Sequence, residues 1–255
     1  MSDDILSQET YFEAKSYPFF RPNYPFLFVD GKIEHLKETS IGLLNSRLTA
    51  LGSLPLSKLT PVLAYGANAS PERLIKKFRS MPESVVIPVI PAVLEGFDIV
   101  FCCHFSTYGA IPATLQASPG TKINIAVNYL NDQLLKRMTE TEIKGGNYTL
   151  GLLQKVDLKV MLVGHYRNIL TYWSHRGCLS KDTEAIALKS VLASGRKFVE
   201  KDGKEILDIA QNLCHVDGPI EPFIKKIVLN LNYREDMNQV LKNFAKPMEW
   251  PYLKV

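Results

Sequence analysis

Apolar positions along this chain alternate between short continuous runs and helix-spaced stripes, and the two patterns divide it into strands and helices. Pro61-Val62-Leu63-Ala64-Tyr65 is an apolar run of strand length. It opens into Gly66-Ala67-Asn68-Ala69 and then a helix start: Ser70 suits the N-cap, Pro71 the first helical position, and Glu72 the positive helix end. Leu74, Ile75 and Phe78 continue that helix on one side, and Pro82 ends it. Val85 to Pro91 reads as extended and β-branched, broken by Pro88 and Pro91, and Val93 to Phe105 as a long strand or hairpin arm. Tyr108 to Ala117 reads as a strand of small residues, with a turn at Ser118-Pro119-Gly120 and a further strand over Ile123 to Leu130. Asn131 caps a helix running to Glu142 and stopped by Gly145-Gly146. Tyr148 to Val163 and Tyr166 to Ser174 read as strands. Ile206 to Phe244 reads as helical, with a break at Gly218-Pro219 and a stop at Pro247.

Upstream, Tyr17 to Phe28 is rich in aromatics and prolines. Pro18, Pro22 and Pro25 forbid a helix there and predict an extended arm whose rings pack on the main domain; a docking segment or a lid over a substrate site is the alternative. Asp30-Gly31 signals a turn. Leu36, Leu43, Leu44, Leu48 and Leu51 then recur at near-helical spacing up to Gly52, and residues 53–60 read as a linker into the strand at 61–65.

Composition narrows the class. At 255 residues, 46% hydrophobic and 22% charged, the chain has the make-up of an ordinary soluble globular protein with a sizeable core. Lysines and arginines are scattered at a net charge of +4, which argues against a nucleic-acid partner. No apolar run approaches bilayer-spanning length, and the start Met1-Ser2-Asp3-Asp4 is acidic, so the expectation is a cytoplasmic protein that does not engage membranes. Four cysteines without a spaced framework point to free thiols. Cys102, Cys103 and His104 suggest a metal, but neighbouring strand residues face opposite ways, so no metal is expected and the cysteines read as packing residues. His175-Arg176-Gly177-Cys178 lacks any companion nucleophile motif and reads as a turn.

Two places carry candidate chemistry. The corner at 65–70 opens onto a helix N-terminus, where free backbone N–H groups suit a carboxylate or phosphate; loop chemistry alone favours an ordinary strand-to-helix corner, because anion-binding corners are a minority of such corners. On the helix after Asn131, Glu142 falls on the line of Leu134, Leu135 and Met138, while Glu140 falls toward solvent. A carboxylate that extends an apolar stripe either frays into water at the helix end or is held in a pocket, and periodicity alone points to the frayed end, because buried unpaired carboxylates are rare.

Ala64-Tyr65-Gly66-Ala67-Asn68 resembles the signature loop of the gamma-glutamyl cyclotransferase-like family, Tyr-Gly-Ser-Asn after an apolar strand, with Ala67 in place of the serine. Met138-Thr139-Glu140-Thr141-Glu142 resembles the family's Leu-Asp-x-x-Glu run, with Met138 for leucine and Thr139 for aspartate; Tyr148 matches an aromatic that follows several residues later. The small-residue strand before Pro119-Gly120 and Ile169 to Trp173 resemble barrel strands of the same family. The resemblance implies an α+β fold, a mixed β-barrel with surrounding helices. It implies a cyclotransferase-like core over 61–178; outside the resemblance, the residues themselves read as an aromatic and proline-rich arm and helix over 1–60, packing on the core, and a mainly helical extension over 179–255. The resemblance implies Glu142 as catalytic acid/base, Tyr65, Gly66, Ala67, Asn68 and Tyr148 as substrate-binding residues, a small-molecule substrate and no cofactor. The activity implied is cyclisation of a gamma-glutamyl group to 5-oxoproline with release of an amine or amino acid. A binding or regulatory module that has lost the activity, or a related acyl or amine transferase, is the alternative. The oligomeric state stays open.

Overall fold

The computed structural model describes residues 3–37, 40–181 and 184–255. The main elements are α1 (Asp3–Lys15), β1 (Phe26–Val29), β2 (Lys32–His35), α2 (Ile41–Ala50), β3 (Thr60–Ala64), α3 (Pro71–Phe78), β4 (Val86–Phe101), β5 (Ala113–Leu130), α4 (Asp132–Ile143), β6 (Tyr148–Val160) and β7 (Gly164–Ser174). Three helices follow, α5 (Gly203–Leu213), α6 (Ile220–Leu229) and α7 (Leu231–Leu241).

Five of the strands close on themselves. β5 runs antiparallel to β3 and to β4, β4 antiparallel to β6, and β6 antiparallel to β7. The ring is completed by a parallel pairing of β7 with β3, where Val62 faces Leu170. The fold is α+β, a closed mixed barrel with helices around it. Closure removes the open edges that a five-stranded sheet would otherwise present.

Alternation along the strands sorts side chains between two cores. Leu63, Ile125, Val127 and Tyr129 point into one, with Ile90, Leu94 and Leu158. Their neighbours Val62, Ala64, Ala126 and Leu130 point into the other, which Leu74 and Phe78 of α3 and Leu134 and Met138 of α4 cover. Both helices therefore sit on the same outer patch of the barrel, and that shared patch builds the site described below.

Two of the expected breaks are absent. Val86 to Phe101 is one strand despite Pro88 and Pro91. Pro88 pairs with Leu27 of β1 but precedes the β5 pairing, which starts at Val89. Pro91 pairs with Ala126 of β5 but falls between the end of the β1 pairing at Val89 and the start of the β6 pairing at Ala92, so each proline has one edge without a neighbour. Ser118-Pro119-Gly120 does not separate two strands either. It bulges out of the continuous β5, where Ala117 pairs with Phe97 and Lys122 with Glu95; Gly96 and Gly120 take the positive φ this needs.

The N-terminal arm packs its rings inward as expected. Tyr17, Phe26 and Phe28 are buried, and β1 extends the sheet along β4, while Phe20 stays exposed. The helix after the Asp30-Gly31 turn begins later than the leucine spacing predicts, at Ile41, capped by Ser40, whose hydroxyl accepts from the Leu43 amide. Cys102, Cys103, Cys178 and Cys214 are all free and buried. Cys102 Sγ lies 3.2 Å from the Tyr148 hydroxyl, whereas Cys103 Sγ turns to the Leu241 carbonyl, 2.8 Å away. No helix among the described residues is long and apolar enough to cross a membrane.

Candidate active site

On α3, Leu74 and Phe78 form the buried stripe, and Lys77 lies three residues beyond Leu74, beside it. Ile75, expected on that stripe, is exposed. On α4, Asn131 caps the helix as expected, its side-chain oxygen accepting from the Leu134 amide at 2.9 Å. Met138 is buried and Glu142 follows four residues on. Seating both stripes on one patch of the barrel brings the two flanking charges together, and the Lys77 ammonium donates to the Glu142 carboxylate. Arg137 Nε holds the helices in step by donating to the Lys77 carbonyl at 3.1 Å. Only 10% of the Lys77 side chain and 18% of the Glu142 side chain are exposed, so the acid is held in a pocket rather than frayed into water. Glu140 faces solvent, as its helical position predicts.

The loop between β3 and α3 lies against this pair. Lys77 Nζ also donates to Asn68 Oδ1 at 2.9 Å, and the Asn68 carbonyl accepts from Asn128 Nδ2 at 2.9 Å. Ser70 occupies the N-cap position of α3 with Pro71 after it, but its buried hydroxyl makes no capping bond. Neither Gly66 nor Asn68 uses a left-handed backbone; Gly66 sits at φ −110° and ψ −138°. The glycine is required by a close approach instead. A Cβ on Gly66 would lie 2.6 Å from the Tyr17 hydroxyl, which accepts from the Ala113 amide at 2.9 Å. Gly66→Ala is therefore expected to destabilise the fold by about 1–3 kcal/mol through overpacking. Tyr17→Phe in the same chain should recover part of that loss, so that urea denaturation of the double variant departs from additivity.

Tyr65, Gly66, Ala67, Asn68, Glu142 and Tyr148 all line one cavity of about 340 Å³, within the size range of small-molecule sites. The two tyrosines contribute rings more than hydroxyls. Tyr65 donates to the Tyr172 carbonyl, and Tyr148 donates to the Ala113 carbonyl at 2.9 Å. Burial pushes both phenols well above their ordinary range, so they stay neutral. Thr139, at the position of the resembled aspartate, has its hydroxyl 2.7 Å from that of Tyr172.

Several lining residues went unread in the sequence. Arg73 stacks its guanidinium over Phe19 and Tyr108, 4.7 and 4.4 Å from the ring centroids, and pairs with Glu13 at 3.0 Å. The proline-rich arm thus reaches the cavity through Tyr17 and steadies its wall through Phe19. His104 lines the cavity with its Nδ1 buried and without a partner, as does Asn147 with its Oδ1. Burial pulls His104 down to about 3, so it is a neutral imidazole at physiological pH. Buried polar atoms of this kind are normally satisfied by a bound molecule or water. The signal for Lys77 was present in the sequence, because it neighbours the Leu74–Phe78 stripe just as Glu142 extends that of Met138. Nothing local marks Asn147, or Arg73, whose partners Glu13, Phe19 and Tyr108 are distant in the chain; His104 stands out in the sequence only beside Cys102 and Cys103, as a metal ligand and not as part of this cavity.

No family model matches the sequence, and no curated protein does. Among solved structures the chain is similar to one titled "Gamma-glutamyl cyclotransferase", at 18% identity over 75% of this chain and 90% of that one, with a TM-score of 0.35. It is also similar to an uncharacterized protein of Homo sapiens, at 18% identity over 76% and 92% of the two chains, with a TM-score of 0.36. A protein of Arabidopsis thaliana is similar at 20% identity over 68% and 84%, with a TM-score of 0.35.

Proposed function

We propose that this chain is a gamma-glutamyl cyclotransferase-like enzyme. The substrate's α-amine attacks its own γ-carbonyl carbon, forming the ring C–N bond of 5-oxoproline. The bond to the departing nitrogen then breaks, and an amine or amino acid leaves. No enzyme nucleophile is needed, because the attacking group is carried by the substrate. Holding that substrate folded supplies much of the acceleration, since effective molarities reach ~10^5 M or more in well-oriented intramolecular reactions. Glu142 takes the proton from the attacking ammonium and returns it to the departing nitrogen, and the 65–68 loop holds the substrate's anionic end. The rings of Tyr65 and Tyr148 shape the pocket.

The observation that carries this reading is the meeting of two distant stretches, the 65–68 loop and Glu142, in one cavity and through one lysine. The test is incubation of the purified chain with a panel of gamma-glutamyl amino acids and gamma-glutamyl amines, with 5-oxoproline followed by chromatography. Release from any member supports the reading. Binding of panel members without turnover replaces it with a non-catalytic binding module, a reading favoured by Ala67, which has no hydroxyl to offer the substrate.

A further inference from the structure

We infer that the Lys77–Glu142 ion pair is the recognition element for an α-amino-acid head group, with Lys77 binding the substrate's α-carboxylate while Glu142 receives its α-ammonium. The inference rests on the cyclotransferase reading of the same cavity and adds a residue and a ligand chemistry to it.

Three lysine and arginine side chains line the cavity, and they are not equivalent. Arg73 is clamped between two rings and pairs with Glu13; Lys76 pairs with the same Glu13 oxygen at 2.6 Å and is half-exposed. Lys77 is the most buried of the three, and its carboxylate partner is the candidate base itself. Its second bond is to Asn68, in the loop where Ala67 brings no hydroxyl. An ammonium has three donors and no acceptor, and the described hydrogen bonds use two of them. The cation thus stands at the corner assigned to the substrate's anionic end, with a donor to spare.

A cation and an anion side by side are the mirror of a zwitterion that carries both charges on one carbon. Such a head group can enter the pair, its carboxylate accepting from Lys77 and its ammonium donating to Glu142, so that one ion pair becomes two. A ligand without the carboxylate has nothing to offer Lys77 and must compete with it for Glu142. Entry of the zwitterion also moves Glu142 from the lysine to the proton it is to take. Lys77 is on this account a binding and positioning residue for a base that the free protein keeps occupied.

The test compares gamma-glutamyl-alanine, which closes to 5-oxoproline, with 4-aminobutanoyl-alanine, which lacks only the α-carboxylate and would close to 2-pyrrolidinone. Wild type should favour the first. Lys77→Met should lower kcat/KM for gamma-glutamyl-alanine about ten- to a hundredfold, the size of one charged hydrogen bond, mainly through KM. It should leave the decarboxylated analogue unchanged or improve it, and Lys77→Arg should restore part of the preference. Equal loss on both substrates, or loss on neither, overturns the inference and leaves the cyclotransferase reading standing. If wild type turns over neither compound, the panel above decides that reading, and calorimetric binding of the same two compounds decides the inference alone. A preference for gamma-glutamyl-alanine that disappears in Lys77→Met upholds it, and no preference in wild type overturns it.

Discussion

Glu142→Gln is expected to slow 5-oxoproline release by about a hundred- to ten-thousandfold, the usual contribution of a positioned general base. The amide keeps the size of the side chain and its place after Met138 on α4, so the folded state should persist and bind substrate. It cannot take a proton from the ammonium. It also deprives Lys77 of its carboxylate partner, and the cation then relies on Asn68 at 2.9 Å. The loss should therefore fall mainly on kcat, whereas Lys77→Met should act mainly on KM. Initial rates of 5-oxoproline formation, with circular dichroism as a check on folding, separate the two. Activity that survives Glu142→Gln unchanged would remove Glu142 from the mechanism.

The second large effect lies away from the cavity. Asp98 on β4 is fully buried and accepts from Arg196 Nε at 2.9 Å and Nη2 at 3.0 Å, a two-pronged pair that ties the barrel to the segment after β7. Arg196 also donates to the Val191 carbonyl at 3.0 Å. Burial raises the Asp98 carboxyl, and the guanidinium draws it back down. Arg196→Met removes the compensating charge and should cost about 3–5 kcal/mol, because a buried carboxyl that keeps only the Ile99 amide must stay charged without a counterion or take up a proton. The variant should also gain a pH dependence of definite sign. With its partner gone, burial is left to raise the folded Asp98 carboxyl further, so it holds its proton to higher pH than in the unfolded chain, where it ionises near pH 3.9. The unfolded state then binds fewer protons, so stability falls by about 1.4 kcal/mol per pH unit above ~4 until the folded carboxyl ionises as well. Urea denaturation at pH 5 and pH 8 should show the lower midpoint at pH 8. Asp98→Asn in the Arg196→Met background should flatten that difference and recover much of the loss. A single variant as stable as wild type at both pH values would show that the pair contributes nothing net.

The strands and helices were largely legible because their causes are local. The step of two in Val62-Leu63-Ala64 and Ile125-Ala126-Val127 assigns neighbours to opposite cores, and the Asn131 cap and the Gly145-Gly146 stop delimit α4. The errors share a cause as well. Pro88, Pro91 and Ser118-Pro119-Gly120 are local signals to break a strand, and they were overridden by which neighbouring strand each residue meets. A glycine between a strand and a helix, as Gly66 is, suggests a turn that needs its flexibility. The reason for this glycine is the hydroxyl of Tyr17, forty-nine positions earlier. The partnership of Asp98 with Arg196 has the same character, as it joins residues 98 positions apart.

By itself the sequence determined the periodicities, and through them the element types, the two-faced strands, and the placing of Glu142 in line with a buried helical stripe. The tertiary structure decided what that acid meets. Helix periodicity fixes a side chain's direction about its own axis, but the position of α3 beside α4 depends on how both seat on β3 and β5. Only that seating sets Lys77 against Glu142 and Asn68, and turns a helix-end carboxylate into one charge of a pair inside a cavity.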